Sequence, residues 1–220
     1  MEAERRGDWW ERYGGLSGVV AVALWVLGFA LFATTGVDGA NGARELRDAY
    51  GDDGNVLLLA GPLFVLGGTA FLWFLGALRT RLLAAEGAPG SLTAIAYATG
   101  IATAVFLSAL PLGDVAAALA DNDELEPAAA QALKEIGTGA FVGAEFTAVG
   151  FLVAVALLIL RTHALPRWLA WVSLALGALL LIGPIGWLGL IVGFPLWVLS
   201  VSVLLHRSGR EPDRPPVATG

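Results

Sequence analysis

"WLAWVSLALGALLLIGPIGWLGLIVGFPLWVLSVSVLL", residues 168–205, is a run of 38 residues without a charge. As one helix it would extend about 57 Å, and the hydrocarbon core of a bilayer is only about 30 Å thick. The run therefore has to fold back on itself. A break is written into its middle as "GPIG", Gly183 to Gly186. Proline removes a backbone donor and glycine weakens a helix, so a turn is expected there, between spans of about 168–183 and 187–205. The first of these is short for a full crossing and has to lean on interfacial tryptophans or on local thinning of the bilayer.

Working outward, four more uncharged runs precede it, at about 14–37, 55–78, 91–113 and 136–160. Each has the length and composition of a membrane-spanning helix. The first is longer than the apolar stretch of a secretory leader, so it is read as a span, with Trp9, Trp10 and Tyr13 at the interface. The chain has 220 residues, 57% hydrophobic and 15% charged, which is far from the balance of a soluble domain. The expected fold is all-α: a polytopic membrane bundle of six transmembrane helices over 14–206, flanked by a segment at 1–13 and a tail at 207–220. The tail, rich in proline and charge, reads as disordered.

Lysine and arginine give the orientation. With the N-terminus in the cytoplasm, the inside segments hold ten of the thirteen basic residues, and the outside keeps only Arg44, Arg47 and Lys134. This bias places both termini in the cytoplasm. The outer segments carry eleven acids, among them Asp38, Asp53 and Asp114, which read as solvated loop charge. Two outer helical pieces are expected, one over Ala43 to Tyr50 and one starting at Pro127 and running into the fourth span.

One acid departs from this scheme. "AFVGAEFTAVGF", residues 140–151, places Glu145 inside the fourth span, roughly 10–14 Å deep by helix rise. No lysine or arginine lies inside any span. An unpaired carboxylate at that depth is costly when ionised, so Glu145 is expected to be protonated much of the time. Its expected partners are neutral, with Tyr97 and Thr103 foremost, then Thr69, Thr99, Ser108 and Ser173. Three readings stand: a proton or ligand site on a transport path, a neutral acid that hydrogen-bonds one helix to the next, or a group that touches water from an outer vestibule.

Other residues are singled out for packing. Gly139, Gly143, Phe146 and Gly150 share one narrow face of the fourth span and would let a neighbouring helix approach closely. Pro62 in the second span, and Gly193 with Pro195 in the sixth, mark packed kinks or hinges.

Several function classes are argued against. The net charge of −6 speaks against nucleic acid, and the absence of cysteine excludes thiolate chemistry. His163 and His206 fall at helix ends rather than inside spans, so no haem or zinc site is expected, and no cofactor. No phosphate-binding glycine loop or serine nucleophile motif occurs, so an enzyme is not expected. The bilayer is the expected partner, with a second membrane protein or another copy of the chain as further candidates.

Two stretches carry a resemblance: "AFLWFLGALRTRLLAAEG" at 70–87 and "LPRWLAWVSLALGALLLIGPIG" at 165–186, with "LEPAAAQAL" between them. Together they resemble a large group of actinobacterial multi-pass integral membrane proteins, DUF4386-like groupings among them. The resemblance covers most of the chain from the second span onward. It implies a bacterial plasma-membrane protein of about six helices, and it implies no activity and no site residues. Two functions remain open: a non-enzymatic protein that binds a lipid, a small apolar ligand or a membrane subunit, and a small proton- or cation-coupled transporter that uses Glu145.

Overall fold

The computed structural model describes residues 2–120 and 124–208, without the side chains of residues 2–13, 184 and 208. The tail beyond residue 208 and the side chains of the three interfacial aromatics near the N-terminus thus lie outside the described residues. Within them the regular structure is helical and contains no strand: α1 (Glu2–Phe32), α2 (Ala43–Glu86), α3 (Ser91–Ala109), α4 (Leu112–Leu119), α5 (Pro127–Thr162), α6 (Arg167–Leu180), α7 (Gly183–Leu188) and α8 (Phe194–Ser208). Five stretches are long and apolar enough to cross a membrane, and α6 is a shorter apolar helix. The chain is a helical bundle of the membrane type.

Local chemistry explains most of the boundaries. Near the start of α2, the carboxylate of Glu45 accepts the Asn41 N–H at 2.9 Å. The helix then runs unbroken for 44 residues, through Pro62, whose ring is exposed on its surface. The outer piece at Ala43 to Tyr50 is therefore the first part of the second span's own helix. At the far end of α2, Glu86 accepts the N–H groups of Leu92 and Thr93 at 2.9 and 2.8 Å and caps α3. Pro127 occupies the first turn of α5, where its missing N–H costs nothing.

Two expectations are corrected. The third run does not continue as one helix to Gly113. α3 ends at Ala109, and Pro111, which cannot donate to the preceding turn, opens the separate helix α4. Nor is "GPIG" the turn in the last run. The break is at Leu181 and Ile182, whose amides fold back to Ala178 and Leu179 at 3.2 and 3.1 Å, and "GPIG" forms the first turn of α7. Proline suits that position better than the turn before it. Between α7 and α8, residues Gly189–Gly193 form a π-helical turn, with the Phe194 N–H reaching back to the Gly189 carbonyl. Pro195 follows directly, and the wider turn takes up the register change that its missing donor imposes.

The bundle has two chemically distinct ends. Arg79, Arg81, Arg161 and Arg167 gather where α2 meets α3 and α5 meets α6, here termed the basic end. At the same end Gly15 of α1 lies against Ser202 and Leu205 of α8. The opposite, acidic end holds α4 and the starts of α2 and α5. Between them α1 packs on α2 and α8, and α5 packs on α3, α6 and α2. At the centre Phe71 touches Trp25, Phe74, Phe151 and Phe194, with ring centroids 5.4, 5.5, 6.2 and 5.7 Å away. Trp197 completes the cluster, and its Nε1 donates to Ser173 of α6 at 2.8 Å.

Small residues set the closest approaches. A methyl group at Gly113 would run into the Leu133 carbonyl of α5, while one at Gly139 would meet nothing within 4 Å. Gly113→Ala should therefore destabilise the protein by about 1–3 kcal/mol through overpacking against backbone. Gly139→Ala should be neutral or stabilising by about 0.5–1 kcal/mol. Unfolding in detergent, followed by loss of helical circular dichroism, checks the contrast. Equal midpoints for the two variants would contradict the packing described.

Candidate functional site

The extra length of α2 and the separate helix α4 bring two polar groups together at the acidic end. Tyr50, 1% exposed, comes from the part of α2 that precedes the second span. Asp114, 6% exposed, comes from the first turn of α4, where an acid suits the helix dipole. The Tyr50 hydroxyl donates to Asp114 Oδ1 at 2.7 Å. They are buried beside an apolar layer made by Val37, Leu46, Leu57, Ala117 and Ala130. A carboxylate taken out of water needs such a donor, because burial without one costs several kcal/mol.

Lys134 stands nearby on α5. Its Nζ donates to the Val37 carbonyl at 3.0 Å and to Asp38 Oδ1 at 2.8 Å, and so straps the turn after α1 onto α5. Asp53 fixes the same turn from α2 by accepting the Gly36 N–H at 2.7 Å.

Asp38, Asp114 and Lys134 among these groups line a cavity of about 310 Å³. Its polar members are Asp38, Asp114, Lys134 and Thr138, and its walls are Phe29 and Phe32 of α1, Phe64 of α2, and Phe141 and Val142 of α5. Gly137, Leu110, Pro111 and Ile191 complete the lining, so the broken end of α3 and the π turn before α8 both border it. Aromatic walls with a few polar groups at one end are the usual makeup of a small-ligand pocket. Among the described residues no group of three or more histidines and acids gathers that could hold a metal ion.

Glu145 lies elsewhere. It is half-buried, is not part of that lining, and makes no hydrogen bond among the described residues. Its carboxylate rests against Gly186 of α7, where a methyl group would come within 2.7 Å of Oε1. It is therefore level with the turn between α6 and α7. None of the neutral partners expected from the sequence reaches it. Thr103 donates to the Thr99 carbonyl at 2.9 Å and lies 3.2 Å from the Thr147 hydroxyl. Tyr97 has the Arg79 guanidinium over its ring at 5.4 Å. Ser173 is taken by Trp197, and Thr69, Thr99 and Ser108 bond to carbonyls of their own helices.

The expected glycine face divides. Gly143 and Gly150 do meet α3, against Phe106 and Thr99, while Gly139 faces open space and Phe146 is 63% exposed. Close approach near Gly139 is made by Gly137 instead, which lies against the Leu110 carbonyl. Pro62 is exposed in an uninterrupted helix, Gly193 lies against Leu176 of α6, and Pro195 is buried just beyond the π turn.

Sequence reasoning missed Asp114, Lys134 and Tyr50 as a group, because it counted the acids as solvated loop charge. The signal was the alanine-rich "GDVAAALA" after Pro111, helical in composition, which would have turned its first acid toward a neighbour. No protein-family model, no curated protein and no solved structure matches the chain.

Tyr50→Phe removes the donor and leaves Asp114 buried without it. It should cost about 1.5–3 kcal/mol, the range for a hydrogen bond to a charged group. Asp114→Asn, which can still accept from the tyrosine, should cost less. Unfolding midpoints check this order, and in a double-mutant cycle of Tyr50→Phe with Asp114→Ala, which removes the acceptor, a coupling energy near zero would mean that the pair does not act as a unit.

Proposed function

We propose that this chain is a six-span protein of a bacterial plasma membrane that binds a small apolar or amphipathic molecule in the acidic-end cavity and does no covalent chemistry. The observation that carries the reading is the makeup of that cavity: aromatic walls, polar groups at one end, and two interruptions of regular helix on its border. Membrane helices tolerate broken backbone where it is buried in protein or lines a cavity. The six-span count adds α6 to the five longer stretches. By helix rise its 14 residues cover about 21 Å, short of the full core, so the turn after it dips toward Glu145. The arginine bias puts the basic end in the cytoplasm. The bacterial plasma membrane and the count of about six helices are what the resemblance to actinobacterial multi-pass proteins implies.

The test is photolabelling of the protein in lipid with an alkyl diazirine, followed by peptide mapping. Label should concentrate on residues 137–142, and Thr138→Trp, which adds bulk to the lining, should remove most of it. Label spread evenly over lipid-facing positions such as Trp73 and Leu196 would sink the proposal.

A second reading is supported by one observation, the lack of a hydrogen-bond partner for Glu145 among the described residues at a helix break. In that reading Glu145 is a proton or cation site of a small transporter. Infrared spectra of the protein in lipid, wild type against Glu145→Gln, isolate its protonated-carboxyl band. Titration of that band between about pH 5 and 8 is expected for a water-accessible transport site. A band that persists to high pH leaves only a structural acid.

A further inference from the structure

A second cavity, of about 410 Å³, opens at the basic end. It is lined by Arg81 of α2, by His163 to Pro166 of the turn between α5 and α6, by Arg167 of α6 and by Leu204 of α8. Three side chains able to carry positive charge thus come from three separate parts of the chain. Arg81 is held in place, since its Nε donates to the Ala164 carbonyl at 3.3 Å. That bond leaves the two terminal nitrogens of its guanidinium for another acceptor. His163 ends α5 with a φ of 58°, which turns the chain sharply into the cavity wall.

Among the described residues no acid lines this cavity, and neither Arg81 nor Arg167 has an ion-pair partner. Glu86 is the acid that α2 carries at this end. Its carboxylate already accepts three hydrogen bonds from Leu92 and Thr93. Two guanidiniums around an open cavity with no acid among its described lining favour an anion with several acceptor oxygens. Position narrows the choice. Trp168 and Trp171 project from the start of α6, 51% and 63% exposed, as tryptophans do at the level of lipid headgroups. Leu165 and Leu204 add an apolar floor.

We infer that the basic-end cavity is a phosphate site filled by the headgroup of an anionic phospholipid, with Arg81 and Arg167 on the phosphodiester and the acyl chains lying along the apolar flank of α6. Basic pockets between helices on the cytoplasmic side suit such headgroups, each basic residue adding to the affinity. The inference rests on the membrane reading of the bundle, not on the acidic-end cavity, so either can fail alone.

The experiment uses the full chain in mixed micelles that hold equal amounts of phosphatidylglycerol and phosphatidylcholine, with retained lipid counted by native mass spectrometry. Wild type should prefer phosphatidylglycerol by on the order of ten-fold, as expected for two basic groups near the anion. Arg81→Gln with Arg167→Gln should abolish the preference, and Arg44→Gln with Arg47→Gln, at the opposite end, should keep it. Arg167→Gln alone, at an exposed position, replaces the pair if the pair does not fold. Equal retention of the two lipids by wild type, or an unchanged preference in the arginine variants, would overturn the inference. Inorganic phosphate is added in a separate arm with phosphatidylcholine only. If it raises the melting temperature there and, added at the same concentration to the mixed micelles, also displaces phosphatidylglycerol, the site belongs to free phosphate and the lipid assignment falls.

Discussion

Hydrocarbon offers no water to an unpaired amide, and that constraint governs the architecture. A regular helix meets it by itself, so each departure from regular helix has to be met by specific partners. Apart from the turn that ends α1 at Phe32, there are three such departures inside the apolar runs. At Leu110 and Pro111 the chain changes helix, and the Pro111 carbonyl accepts the Val115 N–H at 2.8 Å. At Leu181 and Ile182 both amides fold back onto α6. At Gly189–Gly193 the hydrogen bonds widen by one residue ahead of Pro195. All three lie away from the basic end. Two border the acidic-end cavity, and the third faces Glu145 through Gly186. These irregular stretches and the acids Asp114 and Glu145 thus fall in one half of the molecule.

The other half is regular and is held by shape. Apolar surface gives little drive for helix association in lipid, so close packing has to supply it. The aromatic cluster around Phe71 draws side chains from α1, α2, α5 and α8. Offset and edge-on rings at such distances add about 0.5–1.5 kcal/mol per pair beyond their area. Serine plays a narrow part here: Ser173 accepts from Trp197 and donates to the Leu169 carbonyl, so the indole N–H is satisfied without water. Trp25 has no such donor site filled. Its buried Nε1 faces Gly67 with no hydrogen-bond partner among the described residues, a cost set against its ring contacts with Phe71 and Phe194.

The sequence made the helices legible because length, charge and apolar runs are properties of single segments. The uncharged 38-residue run had to be two pieces on length alone, and it is. What it could not tell was where the fold-back falls. "GPIG" contains the right residues for a turn and also for the first turn of a helix, and in the fold it forms that first turn, with Gly186 against Glu145. The site was illegible for a related reason. Asp114 reads as one acid among eleven outside, and its burial depends on α2 starting a dozen residues before its span and on Gly113 pressing against α5. Glu145 stood out because its neighbours in sequence are apolar, yet its neighbour in space is a glycine forty-one residues away.

The long helices α2 and α5 both run from one cavity to the other, and their nature limits what passes between them. Tyr50 at the acidic end and Arg81 at the basic end both belong to α2, about 46 Å apart along one helix. An unbroken helix holds the spacing of the two ends but has no second state to which either could shift it. Energetic coupling between sites needs an element with two arrangements that both sites bias. The segment from α6 to α8 is the place in this fold with irregular joints, and it touches both regions: Ile191 borders the acidic-end cavity, and Arg167 and Leu204 border the basic-end one. Any influence of a headgroup at one end on an occupant at the other therefore has its route through α6, the turn at Leu181, the π turn and α8, rather than through the longest helix in the molecule.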